Sequence, residues 1–169
     1  THNCDAFTSY STLVQNPHKP NHLLLQTWGN KIVSVIVDTD NNTFSEVISN
    51  GIGSGWSAQS MCLRFDHAEG SNRGLIGHNQ SNETYPAQYF KYTAFSWDEL
   101  GNLSFGSTYS IYGFQSGYID RDEICYVPNT NGKFLVYART YSGVYGNEYF
   151  RPMIATVNSD LTVQLGSQN

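Results

Sequence analysis

The sequence predicts an all-β protein made of three four-stranded antiparallel meanders, and three observations lead to that prediction. Its 169 residues are 39% apolar and 14% aromatic but only 14% charged, with 15 glycines, a composition typical of turn-rich strand proteins. Short apolar or alternating stretches recur, separated by turns rich in Asn, Asp, Gly and Pro. Finally, three segments share one layout of strands and turns, which indicates an internal repeat.

The first repeat spans about residues 10–49. Its four predicted strands lie at residues 12–15, 23–28, 31–37 and 43–48. The third of these is β-branched and mostly apolar, as expected of a strand that is buried on both faces. Residues 38–42 form a polar hairpin turn. Its carboxylates could bind Ca²⁺, but the turn lacks the later Gly and the bidentate Glu of a calcium loop, which favours simple solvation.

The other two repeats follow the same plan. The second spans about residues 60–110, with predicted strands at 61–65, 74–78, 89–95 and 103–107. The third spans about residues 122–167, with predicted strands at 123–127, 134–139, 150–157 and 161–165. Val37, Trp97 and Val157 precede the last hairpin of each repeat at equal intervals. Pro152 lies inside a predicted strand, so we expect an edge, a bulge or a late strand start there.

Radial repetition of four-stranded meanders is the architecture of a β-propeller, whereas neither a sandwich nor a jelly roll predicts a four-strand period. Propellers need about four to eight blades, so three propeller-like blades cannot close a ring. Two copies joined head to tail would double the number of blades and close the ring. The alternatives are a piece of a larger propeller or three meanders that stack without closure. We therefore expect residues 1–169 to form a single repeat domain in a homo-oligomer or a larger protein assembly.

Three runs in the third repeat carry a resemblance to a known kind of protein. They are Phe-Gln-Ser-Gly-Tyr at 114–118, Ile-Cys-Tyr-Val-Pro-Asn-Thr-Asn-Gly-Lys-Phe-Leu-Val-Tyr-Ala-Arg at 124–139, and Leu-Thr-Val-Gln-Leu-Gly-Ser at 161–167. This repeat resembles the β-propeller repeats of phage-tail-type and extracellular surface-binding proteins, which the first two repeats match only in layout. The resemblance implies a binding role outside the cell or on a virion surface, and it brings no catalytic residue.

Five residues are candidates for contact with a ligand: Trp28, Trp56, Tyr118, Arg139 and Tyr141. Trp56 and Tyr118 each follow Ser-Gly in equivalent connectors, where exposed rings could stack on a sugar or could instead fill the gap between blades. Trp28 and Arg139 align at the end of the second strand of their repeats. A guanidinium close to Tyr141 suits a carboxylated or sulfated sugar, or else covers a ring as a structural contact.

Several classes of function are disfavoured. The formal net charge is −5 with nine Lys and Arg, so binding of nucleic acid is not expected. No apolar run is long enough for insertion into a membrane. The five His have no zinc-like spacing with Cys, and phosphate, dinucleotide and nucleophile-elbow motifs are missing, so we expect no metal and no cofactor. Cys62 and Cys125 occupy equivalent strand positions, which predicts buried free thiols rather than a disulfide.

The most consistent function is therefore non-catalytic binding at the outside of a cell or a particle, as a lectin-like adhesin that recognises carbohydrate. The alternative is a structural subunit of a surface filament, fibre or virion, whose loops bind neighbouring protein. A glycoside hydrolase is the third possibility and would need two carboxylates facing one cavity. The hairpin at 97–102 resembles the Asp box of sialidase-type propellers with one residue too many, and that feature is structural. The sequons at Asn41, Asn79, Asn82 and Asn102 are compatible with secretion in a eukaryote.

Overall fold

The computed structural model describes residues 12–27, 31–50, 61–79, 90–111, 118–141 and 148–166. Every regular element in these ranges is a β-strand, and they contain no helix with the length and hydropathy that crossing a bilayer requires. The strands form three four-stranded antiparallel sheets, each in chain order. The prediction of an all-β chain of three four-stranded meanders is therefore confirmed.

Each sheet corresponds to one repeat. The first sheet contains β1 (Thr12–Gln15), β2 (His22–Thr27), β3 (Lys31–Asp38) and β4 (Thr43–Asn50). The second sheet contains β5 (Met61–Phe65), β6 (Arg73–Asn79), β7 (Phe90–Trp97) and β8 (Leu103–Ile111). The third sheet contains β9 (Tyr118–Tyr126), β10 (Lys133–Tyr141), β11 (Glu148–Val157) and β12 (Val163–Leu165). Every predicted strand overlaps an observed one.

The same backbone hydrogen bonds recur in all three repeats. Where the first strand of each sheet ends, an N–H donates to the carbonyl of the first residue of the second strand, in the pairs Asn16–His22, Asp66–Arg73 and Val127–Lys133 at 2.9, 2.8 and 3.0 Å. Near the end of the third strand, a backbone N–H donates to the carbonyl oxygen of the residue just before the second strand. The pairs are Val37–Asn21, Trp97–Asn72 and Val157–Gly132, at 2.8, 3.2 and 2.7 Å. These bonds define which positions are equivalent between sheets, and they confirm the repeat predicted from the spacing of Val37, Trp97 and Val157.

Alternation along the strands divides the side chains of the second sheet between two apolar clusters. One face packs on the first sheet, in a cluster of Leu24, Ile32, Leu63, Phe65, Ile76, Phe95 and Trp97. The opposite face packs on the third sheet, in a cluster of Cys62, Leu75, Tyr92, Ala94, Ile124, Phe134, Val136, Met153, Ala155, Val157 and Val163. Burial of these apolar surfaces holds the three sheets together face to face.

Two expectations about burial need correction. Residues 31–37 are not buried on both faces: Ile32 is buried against the second sheet, whereas Val33 and Val35 on the other face remain half-buried. Cys62 is buried as predicted, but Cys125 is exposed. Both errors have one cause, because these residues lie on the outward faces of the first and third sheets, which no described sheet covers.

The third sheet differs from the prediction at β9 and explains the strand proline. β9 begins at Tyr118, earlier than the predicted residue 123, because the long strand β10 pairs with it as far as Tyr141, past an irregularity at Arg139. Pro152 lies in β11 beyond the last residue paired with β12. The Ile154 carbonyl accepts from Gly166 on that side, so the nitrogen of Pro152, two residues away, faces the same side of β11, where no described residue pairs with it. Within the described residues, the expected edge position of this proline is confirmed.

Candidate functional site

The loops that join first to second strands and third to fourth strands all lie at one end of their sheets, because alternate turns of a meander share an end. We call it the turn end and the opposite one the connector end. Three carboxylates organise hairpins at the turn end. The pKa of each lies below its usual value, because side-chain hydrogen bonds stabilise the charged form: Asn41 for Asp38, Asn102 for Asp98 and Thr162 for Asp160.

An open cleft of about 640 Å³ lies at the turn end between the first and second sheets. Three loop segments line it: His18 and Lys19 after β1, Ser71 and Asn72 before β6, and Trp97, Asp98 and Glu99 at the end of β7. Such a volume falls within the range of small-molecule sites. The cleft thus combines carboxylate, amide, hydroxyl, ammonium and aromatic groups.

A buried carboxylate, that of Asp66, fixes one wall of the cleft. It accepts hydrogen bonds from the Ser71 hydroxyl at 2.8 Å, the Ala68 N–H at 3.1 Å and the Gly132 N–H of the third sheet at 2.9 Å. The guanidinium of Arg73 lies 3.8 Å away. Since its hydroxyl donates to this carboxylate, Ser71 is a positioned wall residue.

The opposite wall, formed by His18 and Lys19, is hydrogen-bonded to the second sheet. The His18 Nε2 lies 2.8 Å from the Asp66 carbonyl; because a carbonyl can only accept, this nitrogen carries the proton and donates. The ammonium of Lys19 donates to the Glu99 carbonyl. Both bonds join loops of neighbouring sheets, so the mouth of the cleft is defined by inter-sheet contacts.

Trp97 forms the base of the cleft. Its indole is buried and meets Phe65 edge-on at a centroid distance of 4.9 Å, while the Asn72 amide donates to the Trp97 carbonyl at 3.3 Å. The equivalent position between the second and third sheets holds Val157, so an aromatic base is particular to the first junction.

The two carboxylates of the rim differ in their surroundings. Asp98 accepts from the backbone N–H groups of Leu100 and Asn102 at 2.9 and 2.8 Å and from the Asn102 amide at 2.7 Å. These bonds lower the pKa of Asp98, with the Asn102 side chain as the largest cause, and hold it ionised at neutral pH. Glu99 is exposed beside it. The Asp98 carboxylate is thus engaged by its own turn, while that of Glu99 lies at the exposed surface.

His22 is buried directly behind this base, with its ring centroid 6.1 Å from that of Trp97. Burial, with a smaller contribution from the charge of Lys19, lowers the pKa of His22 to about 4. The neutral ring accepts from the Asn16 amide at 3.0 Å through Nδ1 and donates to the Ser34 hydroxyl at 2.7 Å through Nε2. It is a structural group held neutral.

This arrangement is suited to polar recognition. A glycoside hydrolase pairs a carboxylic acid of raised pKa with a second, ionised carboxylate, and the lowered pKa of Asp98 fits only the second of these roles. Among the described residues, His, Cys, Asp and Glu do not gather in any group of three that could hold a metal ion. The Asp38 turn, weighed above as a calcium loop, directs its carboxylate to the N–H groups of Asp40 and Asn41 and to the Asn41 amide.

None of the described residues that line this cleft is among the five predicted for ligand contact. Trp28 and Trp56 lie outside the described residues. Tyr118, Arg139 and Tyr141 have described backbones at the connector end of the third sheet, where Tyr118 pairs directly with Tyr141 across the β9–β10 ladder. The structure thus brings two of the five to adjacent register positions, at the end opposite the cleft.

The cleft residues were not singled out from the sequence, although a signal was present. Residues 16–21, 66–72 and 97–102 are alternate turns of consecutive meanders, and such turns share one end of their sheets. What the sequence does not reveal is which sheets pack face to face, and that packing brings Lys19 to Glu99.

Comparison of the sequence with models of known protein families finds no match. Comparison with curated proteins also finds no match.

Proposed function

We propose that this protein is a non-catalytic carbohydrate-binding module, lectin-like and exposed at the outside of a cell or particle, and that the cleft at the first junction is its site. The observation that carries the proposal is that Asn72, Trp97, Asp98 and Glu99 line one cleft. Carboxylate and amide oxygens accept hydrogen bonds from sugar hydroxyls, and small-molecule sites combine such groups with aromatic lining.

The finer architecture belongs to the same proposal. We take the three sheets to be propeller-like blades, since consecutive four-stranded meanders pack face to face in chain order. In such an arrangement the loops at one end surround the axis, where many propellers carry their ligands. The cleft and the acidic hairpins lie at one such end.

The test is a glycan array followed by titration of the best ligand. Glu99→Gln and Asn72→Ala are expected to weaken binding about tenfold or more, because the first replaces a charged acceptor with a neutral amide and the second removes an amide from the lining. Glu69→Gln is the matched control, an exposed glutamate at the turn end outside the cleft, and should bind as the unmodified protein does. Tyr118→Ala examines the connector end; a loss there, with binding intact in Glu99→Gln, would move the site to the predicted aromatic residues.

The second candidate function is a structural subunit of a surface filament, fibre or virion. It is favoured by one observation, the apolar outward faces of the first and third sheets, where Leu13, Phe44, Leu135 and Ile154 are exposed. Apolar faces of this kind mark contacts with protein. A protein that assembles but binds no glycan on the array would favour this candidate.

A further inference from the structure

The three sheets form a stack with two unlike open faces. We call the outward face of the first sheet the leading face; its described apolar residues are Leu13, Leu23, Leu25, Val33, Val35, Val37 and Phe44. We call the outward face of the third sheet the trailing face; its described residues include Cys125, Lys133, Leu135, Pro152 and Ile154. Both contain apolar side chains that water reaches.

Repeat equivalence shows what the trailing face is built to meet. Leu24, Leu75 and Leu135 occupy equivalent positions. Each lies three residues after the residue whose carbonyl accepts a hydrogen bond from the third strand, which is Asn21, Asn72 or Gly132. Leu24 and Leu75 are 1% and 0% exposed, each packed against the next sheet in the stack, whereas Leu135 is 41% exposed. Leu135 therefore holds a position at which the other two repeats receive a following sheet.

The leading face has the complementary pattern. Leu13, Leu63 and Ile124 are equivalent through the bonds that close the first strands. Leu63 and Ile124 are 1% and 2% exposed, each packed against the preceding sheet, whereas Leu13 is 60% exposed. The leading face is thus the surface that the other repeats apply to a preceding sheet.

We propose that the leading face of one copy docks on the trailing face of a second copy, in a closed head-to-tail pair with two identical junctions. Each junction would continue a contact that the chain already makes twice, since Leu24 packs in one cluster with Leu63 and Leu75 in one cluster with Ile124. Repeat proteins end on polar capping faces when nothing follows, and neither open face is polar in this way. A closed pair has six sheets, within the range of about four to eight found in propellers.

A contact made by the first residue of the second strand defines the register of the junction. The first residue of the second strand reaches the following sheet in both internal junctions: the His22 ring lies against Trp97, and the Arg73 guanidinium donates to the Val157 carbonyl at 3.2 Å. Trp97 and Val157 are equivalent positions. Lys133 is the third member of the series and is exposed, so its ammonium would donate to the Val37 carbonyl of a second copy.

The experiment is light scattering over a range of protein concentrations, independent of any ligand. The unmodified chain should show twice the mass of one chain. Leu13→Asp and Leu135→Asp each place a charge in the junction and should raise the dissociation constant of the pair at least about tenfold. Both residues are well exposed in one chain, so folding should persist, as circular dichroism would verify. Leu100→Asp is the control, because this more exposed leucine lies in a hairpin outside both faces.

Mixing the two variants tests the head-to-tail arrangement itself. A Leu13→Asp copy keeps an intact trailing face and a Leu135→Asp copy keeps an intact leading face, so an equimolar mixture should regain pairs through one junction. A contact between two leading faces would instead leave Leu135→Asp fully paired. That result would overturn the proposal, as would a single-chain mass for the unmodified protein at every concentration or an open-ended series of masses.

Discussion

The carboxylate of Asp66, in the second sheet, accepts a 2.9 Å hydrogen bond from the backbone N–H of Gly132, in the third sheet. Both groups are buried, and the same carboxylate positions Ser71 at the wall of the cleft. One side chain therefore couples the packing of two sheets to the shape of the candidate site.

The first prediction concerns this carboxylate. Asp66→Ala should lower the free energy of unfolding by about 2–4 kcal/mol, because it leaves the Gly132 N–H buried without its acceptor and the Arg73 guanidinium without its carboxylate. Urea denaturation measures the loss. Asp40→Ala, in the exposed β3–β4 turn, should stay within about 0.5 kcal/mol of the unmodified protein. Equal effects of the two substitutions would contradict the role assigned to Asp66.

The second prediction concerns a close approach of β8 to the turn between β11 and β12. A Cβ at Gly106 would lie 2.0 Å from the Leu161 carbonyl oxygen, so Gly106→Ala should destabilise the protein by about 1–3 kcal/mol through overpacking. Gly166→Ala is matched to it, since its Cβ would lie 3.5 Å from the nearest atom, an ordinary contact. Thermal unfolding should separate the two variants clearly; coincident curves would mean that the sheets are not packed this tightly.

The third prediction follows from the buried His22. Its pKa of about 4 in the folded protein lies below the ordinary value of 6.5, so the unfolded chain binds the proton first as the pH falls. The contribution of the neutral His22 ring to the free energy of unfolding is therefore fully present above pH 6.5. It is lost between pH 6.5 and about 4, with a slope of up to about 1.4 kcal/mol per pH unit. His78, whose pKa is also lowered by burial, adds to the loss in the same direction.

Urea denaturation at a series of pH values from 7.5 to 5 measures this slope (about one proton for one histidine). His22→Gln keeps a donor and an acceptor for Ser34 and Asn16, and should make the decline of stability with falling pH shallower. An unchanged slope would show that His22 is as easily protonated in the folded chain as in the unfolded one.

The fourth prediction uses the two described thiols. In a Cys4→Ser background, a maleimide should modify the exposed Cys125 quickly and the buried Cys62 only after unfolding. Because Cys125 lies on the trailing face, its modification should slow as the protein concentration rises through the range in which pairs form. Fast labelling of Cys62 in the native protein would contradict its place in the apolar cluster.

The strands could be predicted because they depend on local pattern, as in the β-branched, mostly apolar run at residues 31–37, which a polar turn follows. The burial of side chains was harder to predict, because it depends on which sheet faces meet. The sequence of β3 suggested a strand that is covered on both faces, whereas the described sheets of one chain cover only one of its faces. The same reason explains Cys62 and Cys125, which are alike in sequence context but lie on an inner and an outer sheet face.

The candidate site was less accessible to sequence analysis than the fold. Asp98 was interpreted correctly as a turn residue, through the Asp-box resemblance, but its neighbour Glu99 meets Lys19 only because two sheets pack face to face. Tyr118 and Tyr141, two of the aromatic residues that stood out in the sequence, lie at the connector end of the third sheet. Long-range packing therefore decides which polar residues gather, and no local motif records it.

Pro152 has a consequence for how this protein can associate. Strand addition along the open edge of β11 would require an N–H at each outward-facing residue, and at Pro152 there is none to donate. An incoming strand would therefore lose part of its hydrogen-bond ladder beyond the three residues that β12 already pairs. Edge-to-edge growth into fibrils is therefore disfavoured at this border of the third sheet, a restriction that does not apply to contacts made through the outward apolar faces.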